Sequence, residues 1–113
     1  MANIFFGDVW FGDLDPITGH EQAGQRPMLI VSPNAFNQSL LKLTLVLPIT
    51  TNLRPLPSRI PIAPPEGGLT RPSMILCEAI RSISQERLQR RMGTVSEITL
   101  LAVQDRLRIL LNL

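Results

Sequence analysis

Nine consecutive residues, Gly19-His20-Glu21-Gln22-Ala23-Gly24-Gln25-Arg26-Pro27, carry the chain's single histidine, a carboxylate, an arginine and two helix-breaking glycines. An imidazole with an unperturbed pKa of about 6.5 suits proton transfer. A guanidinium presents a planar fork that matches two phosphate oxygens. The apolar run Met28-Leu29-Ile30-Val31 follows at once, as a buried strand would. These groups therefore read as a loop anchored to a rigid element, a common way to hold a site. Arginine recurs elsewhere: it supplies ten of the eleven basic residues, leaving Lys42 as the one lysine. Arg81, Arg87, Arg90 and Arg91 crowd one short stretch. Two readings of that bias stand, a phosphate-binding surface or a solvated face that reflects composition.

The elements that must position these groups are mostly strands. Gly7 to Leu14 alternates loosely and reads as a first strand, ended by Asp15-Pro16 because proline cannot donate to a ladder. Residues 16–25 form a polar loop. Pro27 to Val31 reads as a second, buried strand stopped by Ser32-Pro33, and Asn34 to Leu40 as a connector with a short helical turn. Leu41 to Ile49 is a third strand, rich in Leu, Val and Thr. Prolines punctuate residues 55–65, where Ser58 to Ile62 fits a short edge strand. Glu66 to Leu69 reads as a turn and Ser73 to Ile83 as one long strand. Ser84 to Leu88 reads as a helical turn, and Arg91 to Thr94 as a brief last strand.

The chain then closes on a helix. Ser96 can cap it, Thr94 and Glu97 have capping-box spacing, and Leu100, Val103, Leu107 and Leu110 define one apolar face. Many short strands and a terminal helix give a mainly β (α+β) class: a small antiparallel barrel or curled sheet with a helix packed on it.

Residues 1–113 make a single domain by the usual size prior. The one cysteine, Cys77, excludes an intrachain disulfide and fits a reducing cytoplasm, and it reads as a small buried hydrophobe. No signal-peptide pattern and no apolar run near the roughly 20 residues of a membrane helix is present, so a soluble, cytoplasmic protein without membrane attachment is expected. No cluster of His, Cys or carboxylates has metal-ligand spacing, so neither a metal nor another cofactor is expected.

Five segments, in order, resemble the MazF/PemK family of toxin endoribonucleases, along almost the whole chain. They are Gly7-Asp8-Val9-Trp10 with Asp13-Leu14-Asp15-Pro16; the Gly19–Pro27 loop with Val31-Ser32-Pro33-Asn34-Ala35-Phe36-Asn37; Leu47-Pro48-Ile49-Thr50-Thr51-Asn52; Cys77-Glu78 with Ile80-Arg81-Ser82-Ile83; and Arg87-Leu88. The resemblance implies an SH3-like barrel of the CcdB/PemK type with a C-terminal helix, and a homodimer. It implies metal-independent, sequence-specific cleavage of single-stranded RNA to inhibit translation. It also implies neutralisation by a cognate MazE/PemI-like antitoxin whose disordered, acidic tail folds on the toxin.

Cleavage without a metal needs attack of a ribose 2′-OH on the adjacent phosphate, a base, an acid and positive charge at the transition state. The family pattern assigns Arg26 charge stabilisation, because arginine rarely gives up a proton. Without the resemblance, a surface ion pair with Glu21 would account for it. Thr50 is expected to donate its hydroxyl to the scissile phosphate, against a default of strand propensity. His20 and Glu78 form the acid–base pair of the PemK-like branch, with Glu78 a base if burial raises its pKa. Leu76 departs from that branch, which carries arginine just before the cysteine, and this shifts weight to Arg26 and Thr50; Ala79 is a second departure, where many family members carry glutamine. Gln22, Thr51, Arg81 and Arg87 are the expected RNA-binding residues. Trp10 reads as core or dimer interface, with base stacking as its alternative. Two rivals remain: a CcdB-like gyrase-binding toxin, which needs a C-terminal Trp-Gly-Ile where this chain ends Leu-Leu-Asn-Leu, and a catalytically inactive SH3-like binding module.

Overall fold

The computed structural model of the protein describes residues 3–15, 19 and 24–113. Its strands are β1 (Asp8–Asp13), β2 (Gln25–Ile30), β3 (Leu43–Thr50), β4 (Arg59–Ile62), β5 (Ser73–Leu76), β6 (Arg81–Ser84) and β7 (Leu88–Thr94). A one-turn helix, α1 (Asn34–Asn37), joins β2 to β3, and α2 (Glu97–Leu111) ends the chain. Every pairing is antiparallel, in the order β4-β5-β3-β2-β1-β7, with β6 also on β3. The mainly β class with a C-terminal helix is thus the observed one. β4 and β7 are the two ends of the path, so the sheet curls without a closing ladder among the described residues.

Alternation along the central strands sends side chains to two cores. Leu29, Leu47 and Ile49 join one buried cluster with Val103 of α2. Met28, Ile30 and Val46 join another with Ile4, Leu14 and Ile83, on the face turned away from that helix. Leu100 and Leu107 pack beside Val103 as expected. Leu110 does not: it is 44% exposed and faces the Leu56–Ser58 segment.

The single strand expected from Ser73 to Ile83 is broken. A 3-10 turn at Cys77–Ala79 separates β5, which lies between β4 and the end of β3, from β6, which pairs with the start of β3. The sequence hides the break because β5 and β6 both pair with β3, at its end and its start, and no proline or glycine marks the turn between them. β7 is longer than expected, beginning at Leu88; its exposed Gln89, Arg90 and Arg91 mask the strand pattern, as is usual at a sheet edge.

Two glycines are required by close approach. A β-carbon on Gly12 would lie 2.6 Å from the Arg87 carbonyl oxygen, and one on Gly68 would lie 2.1 Å from that of Met92. Gly68 also sits at φ +72°, in the left-handed region. The start of α2 departs from the expected box. Ser96 is the cap, its Oγ accepting from the Thr99 N–H at 3.2 Å, so Thr94 and Glu97 are out of phase with it. The reciprocal arm comes from a distant turn: Glu66 Oε2 accepts from the Ser96 N–H at 2.8 Å and from the Thr99 hydroxyl at 2.6 Å.

Candidate active site

Arg26 is the second residue of β2 and is half-buried, directly across from Gly12 on β1. Thr50 is the last residue of β3. The β2–β3 ladder pairs Met28 with Pro48 and Ile30 with Val46. Carried two residues further, the same register sets Arg26 opposite Thr50. By alternation both fall on the face of Met28, Ile30 and Val46, away from α2. Arg81 pairs with Val46 and has the parity of buried Ile83, which puts it on that face as well. Local sequence explains the placement: the strands end where Thr50 gives way to the proline-punctuated stretch and where Gly24 opens the loop.

The loop before Arg26 is pinned at its two stems. Leu14 N–H donates to the Gly24 carbonyl at 3.0 Å, and Gly24 N–H donates to Asp15 Oδ1 at 3.0 Å. Arg81 Nη1 donates to the Leu14 carbonyl at 3.3 Å, while Arg87 Nη1 donates to the Asp13 carbonyl at 3.5 Å and to that of Asp15. The two arginines singled out for RNA thus hold main-chain oxygens where the loop leaves β1. Arg87 also borders a hollow of about 440 Å³ with Asp13, Asp15 and Ser84. Of the other expected residues, Thr51 is exposed just past β3, and His20 and Gln22 lie outside the described residues, as does Glu21.

Glu78 sits on the 3-10 turn, and both its oxygens are occupied. Ser58 Oγ donates to Oε1 at 2.7 Å and Arg59 Nε to Oε2 at 2.9 Å. Burial pushes its carboxyl pKa up, but the Ser58 hydroxyl, its own backbone N–H and the Arg59 guanidinium together bring it below the ordinary carboxylate value. The expectation that burial would raise it and make it a better base is therefore corrected. Nor does it adjoin Thr50 along the sheet: Thr50 pairs with Met74, four residues before Glu78. Ser58 and Arg59 are the residues that sequence reasoning missed. They lie about twenty positions from Glu78 in the chain, and only the pairing of Arg59 with Leu76 brings them together.

Cys77 is fully buried, as expected, and burial, with the Glu78 charge beside it, pushes its thiol pKa up to about 11. Trp10 packs against the second core and its Nε1 donates to Asp8 Oδ2 at 3.4 Å, so the indole serves the core on at least one side. Among the described residues no group of three His, Cys, Asp or Glu side chains converges as a metal site needs.

A curled antiparallel sheet with a terminal helix on one face and Arg26 and Thr50 near the strand ends on the other defines a small, mainly β domain of α+β type. The model of the PemK-like, MazF-like toxin of type II toxin-antitoxin systems matches residues 6–111. Endoribonuclease EndoA of Bacillus subtilis is 34% identical over 109 residues, covering 95% of this chain and 93% of that protein. The crystal structure of MazF from Deinococcus radiodurans aligns with a TM-score of 0.87 at 25% identity, over 97% of each chain. An endoribonuclease in complex with its cognate antitoxin, from a mycobacterial species, aligns with a TM-score of 0.80 at 25% identity, over 97% of this chain and 96% of its own. This chain belongs to the PemK/MazF toxin family of type II toxin–antitoxin systems. No helix among its described residues is long and apolar enough to cross a membrane.

Proposed function

We propose that this protein is the endoribonuclease toxin of such a system, cutting single-stranded RNA in the cytoplasm at short sequences and restrained by a cognate antitoxin. The observation that carries the reading is the β2–β3 register, whose extension by two residues turns Arg26 and Thr50 to one face, with the chain's only histidine six residues before Arg26 in the sequence. The ribose 2′-oxygen attacks the adjacent phosphorus as the bond to the 5′-oxygen breaks, leaving a 2′,3′-cyclic phosphate and a 5′-hydroxyl end. Arg26 binds the non-bridging oxygens as negative charge builds on them, and the Thr50 hydroxyl donates a second bond. Thr50 Oγ1 already accepts from the Asn52 N–H at 3.2 Å, which leaves its proton for the phosphate. His20 serves the proton steps. Gln22, Thr51, Arg81 and Arg87 contact the RNA strand, the last two also holding the main chain of Asp13 to Asp15 that leads toward His20. A homodimer is the working form, and an acidic, disordered antitoxin segment its inhibitor.

Purified wild-type protein, Arg26→Ala and Thr50→Ala are incubated with single-stranded RNA in excess EDTA. Wild type is expected to cut and to leave 5′-hydroxyl ends. Each variant loses roughly 10²-fold or more, the usual cost of removing a transition-state donor. Wild type that cuts no RNA refutes the enzyme reading, and full activity in Arg26→Ala removes the central residue from it.

A further inference from the structure

Glu78 and Thr50 lie apart on the sheet yet are joined by an unbroken run of hydrogen bonds. Thr50 Oγ1 accepts from the Asn52 N–H at 3.2 Å, and Asn52 Oδ1 accepts from the Arg54 N–H at 3.1 Å. The Arg54 carbonyl accepts from Arg59 Nη1 at 3.4 Å, and Arg59 Nε meets Glu78 Oε2 at 2.9 Å. Ser58 closes the far end on Glu78 Oε1. The segment between Thr50 and Ser58 is exposed throughout and holds two prolines and no strand, so few packed contacts order it. Besides the Arg59 N–H bond to the Leu56 carbonyl at 3.0 Å and the Leu110 side of α2 near Leu56–Ser58, this run of bonds ties the segment down.

We infer that Arg59 is a positioning residue of the site, gripping Glu78 with one side of its guanidinium and the Arg54 carbonyl with the other, and that Glu78 is the fixed anchor of the β3–β4 segment. The Arg59 side chain is only 15% exposed, and burial of its stem fixes the fork between its two acceptors. Glu78 is held as the anion with both oxygens engaged, which suits an anchor and opposes proton abstraction. The segment leaves the sheet directly after Thr50, where a bound strand would pass, so its order fixes the Thr50 hydroxyl and the shape met by neighbouring bases. Base preference and substrate affinity should therefore depend on Arg59 and Glu78. This consequence rests on the proposed RNA cleavage; the anchor itself does not.

Two measurements test it on wild type, Arg59→Ala, Glu78→Ala and Glu78→Gln. In amide hydrogen exchange, residues 51–58 are expected to exchange about tenfold faster in both alanine variants, as local order is lost, and to be slowed again in Glu78→Gln, whose amide still accepts from Arg59. In EDTA, with a pool of RNAs randomised at the cut site, the alanine variants are expected to raise KM about tenfold, keep kcat within about threefold and cut a wider set of sequences. Glu78→Gln should recover the wild-type set. Unchanged exchange of residues 51–58 in Arg59→Ala overturns the anchor. A roughly 10²-fold fall in kcat in Glu78→Gln, with loss of the acidic limb of the pH–rate profile, overturns it too by making Glu78 the base. Wild type that cuts no RNA defeats the proposed function alone, and the exchange experiment then still decides the anchor.

Discussion

Replacing Glu66 with alanine is expected to loosen the terminal helix from more than thirty residues away in the sequence. Its Oε2 accepts from the Ser96 N–H at 2.8 Å and from the Thr99 hydroxyl at 2.6 Å, at the end of α2 where main-chain N–H groups lack partners. Two charge-assisted bonds at a half-buried site, together with the helix dipole, come to roughly 2 kcal/mol. For a domain of this size that lowers Tm by roughly 10 °C. The Ser96 cap alone contributes about 1 kcal/mol, so Ser96→Ala should be milder.

The effect has a pH signature. Burial raises the Glu66 carboxyl pKa, but bonds from the Thr99 hydroxyl and the Ser96 backbone and hydroxyl outweigh it, leaving the folded value below the ordinary 4.5. A depressed carboxyl pKa contributes stability that is complete above the unfolded value and is lost as pH falls through the folded one. The gap between wild type and Glu66→Ala should therefore be full at pH 7 and narrower near pH 3. Urea unfolding at both pH values, with equal m-values, reads it directly. A loss under about 0.5 kcal/mol at pH 7, or a gap that does not narrow in acid, would refute the assignment of Glu66 as the second cap.

Two further outcomes follow from packing. Gly12→Ala places a β-carbon 2.6 Å from the Arg87 carbonyl oxygen and 2.8 Å from Met28 Cε, and should cost about 2 kcal/mol in urea unfolding. A cost under about 0.5 kcal/mol would mean that β1 and the Arg87 turn part easily. Cys77 is fully buried with its thiol near 11, so at pH 8 only about one thiol in a thousand is ionised; iodoacetamide should label it in urea and not in the native protein. Fast native labelling would show that this part of the core opens.

Legibility in the sequence tracked the range of the interactions. β1, β2 and β3 were readable because alternation and proline stops are local. The Ser96 cap is readable for the same reason, while the capping box that the spacing of Thr94 and Glu97 suggests is replaced by Glu66, because nothing local reveals that the Glu66 turn folds across the helix start. The break at Cys77 is hidden because no proline or glycine marks it; it exists because β5 and β6 pair with different parts of β3. At the site, Arg26 and Thr50 come from the family resemblance, and the β2–β3 register, extended by two residues, turns both toward one face. Arg59 could not be found, because its role is created by its pairing beside Leu76 and by the return of the Arg54 carbonyl.

The sheet's open ends carry a further consequence. β4 has Pro61 in its middle, where no N–H can be offered to a new strand, and β7 carries adjacent Arg90 and Arg91 on exposed positions. A foreign strand docking on β4 would find a gap in the donor row, and a copy of β7 docking on β7 would bring like charges together. Both ends therefore resist templated stacking. Growth of a fibril through the β4 or the β7 edge is disfavoured on both counts.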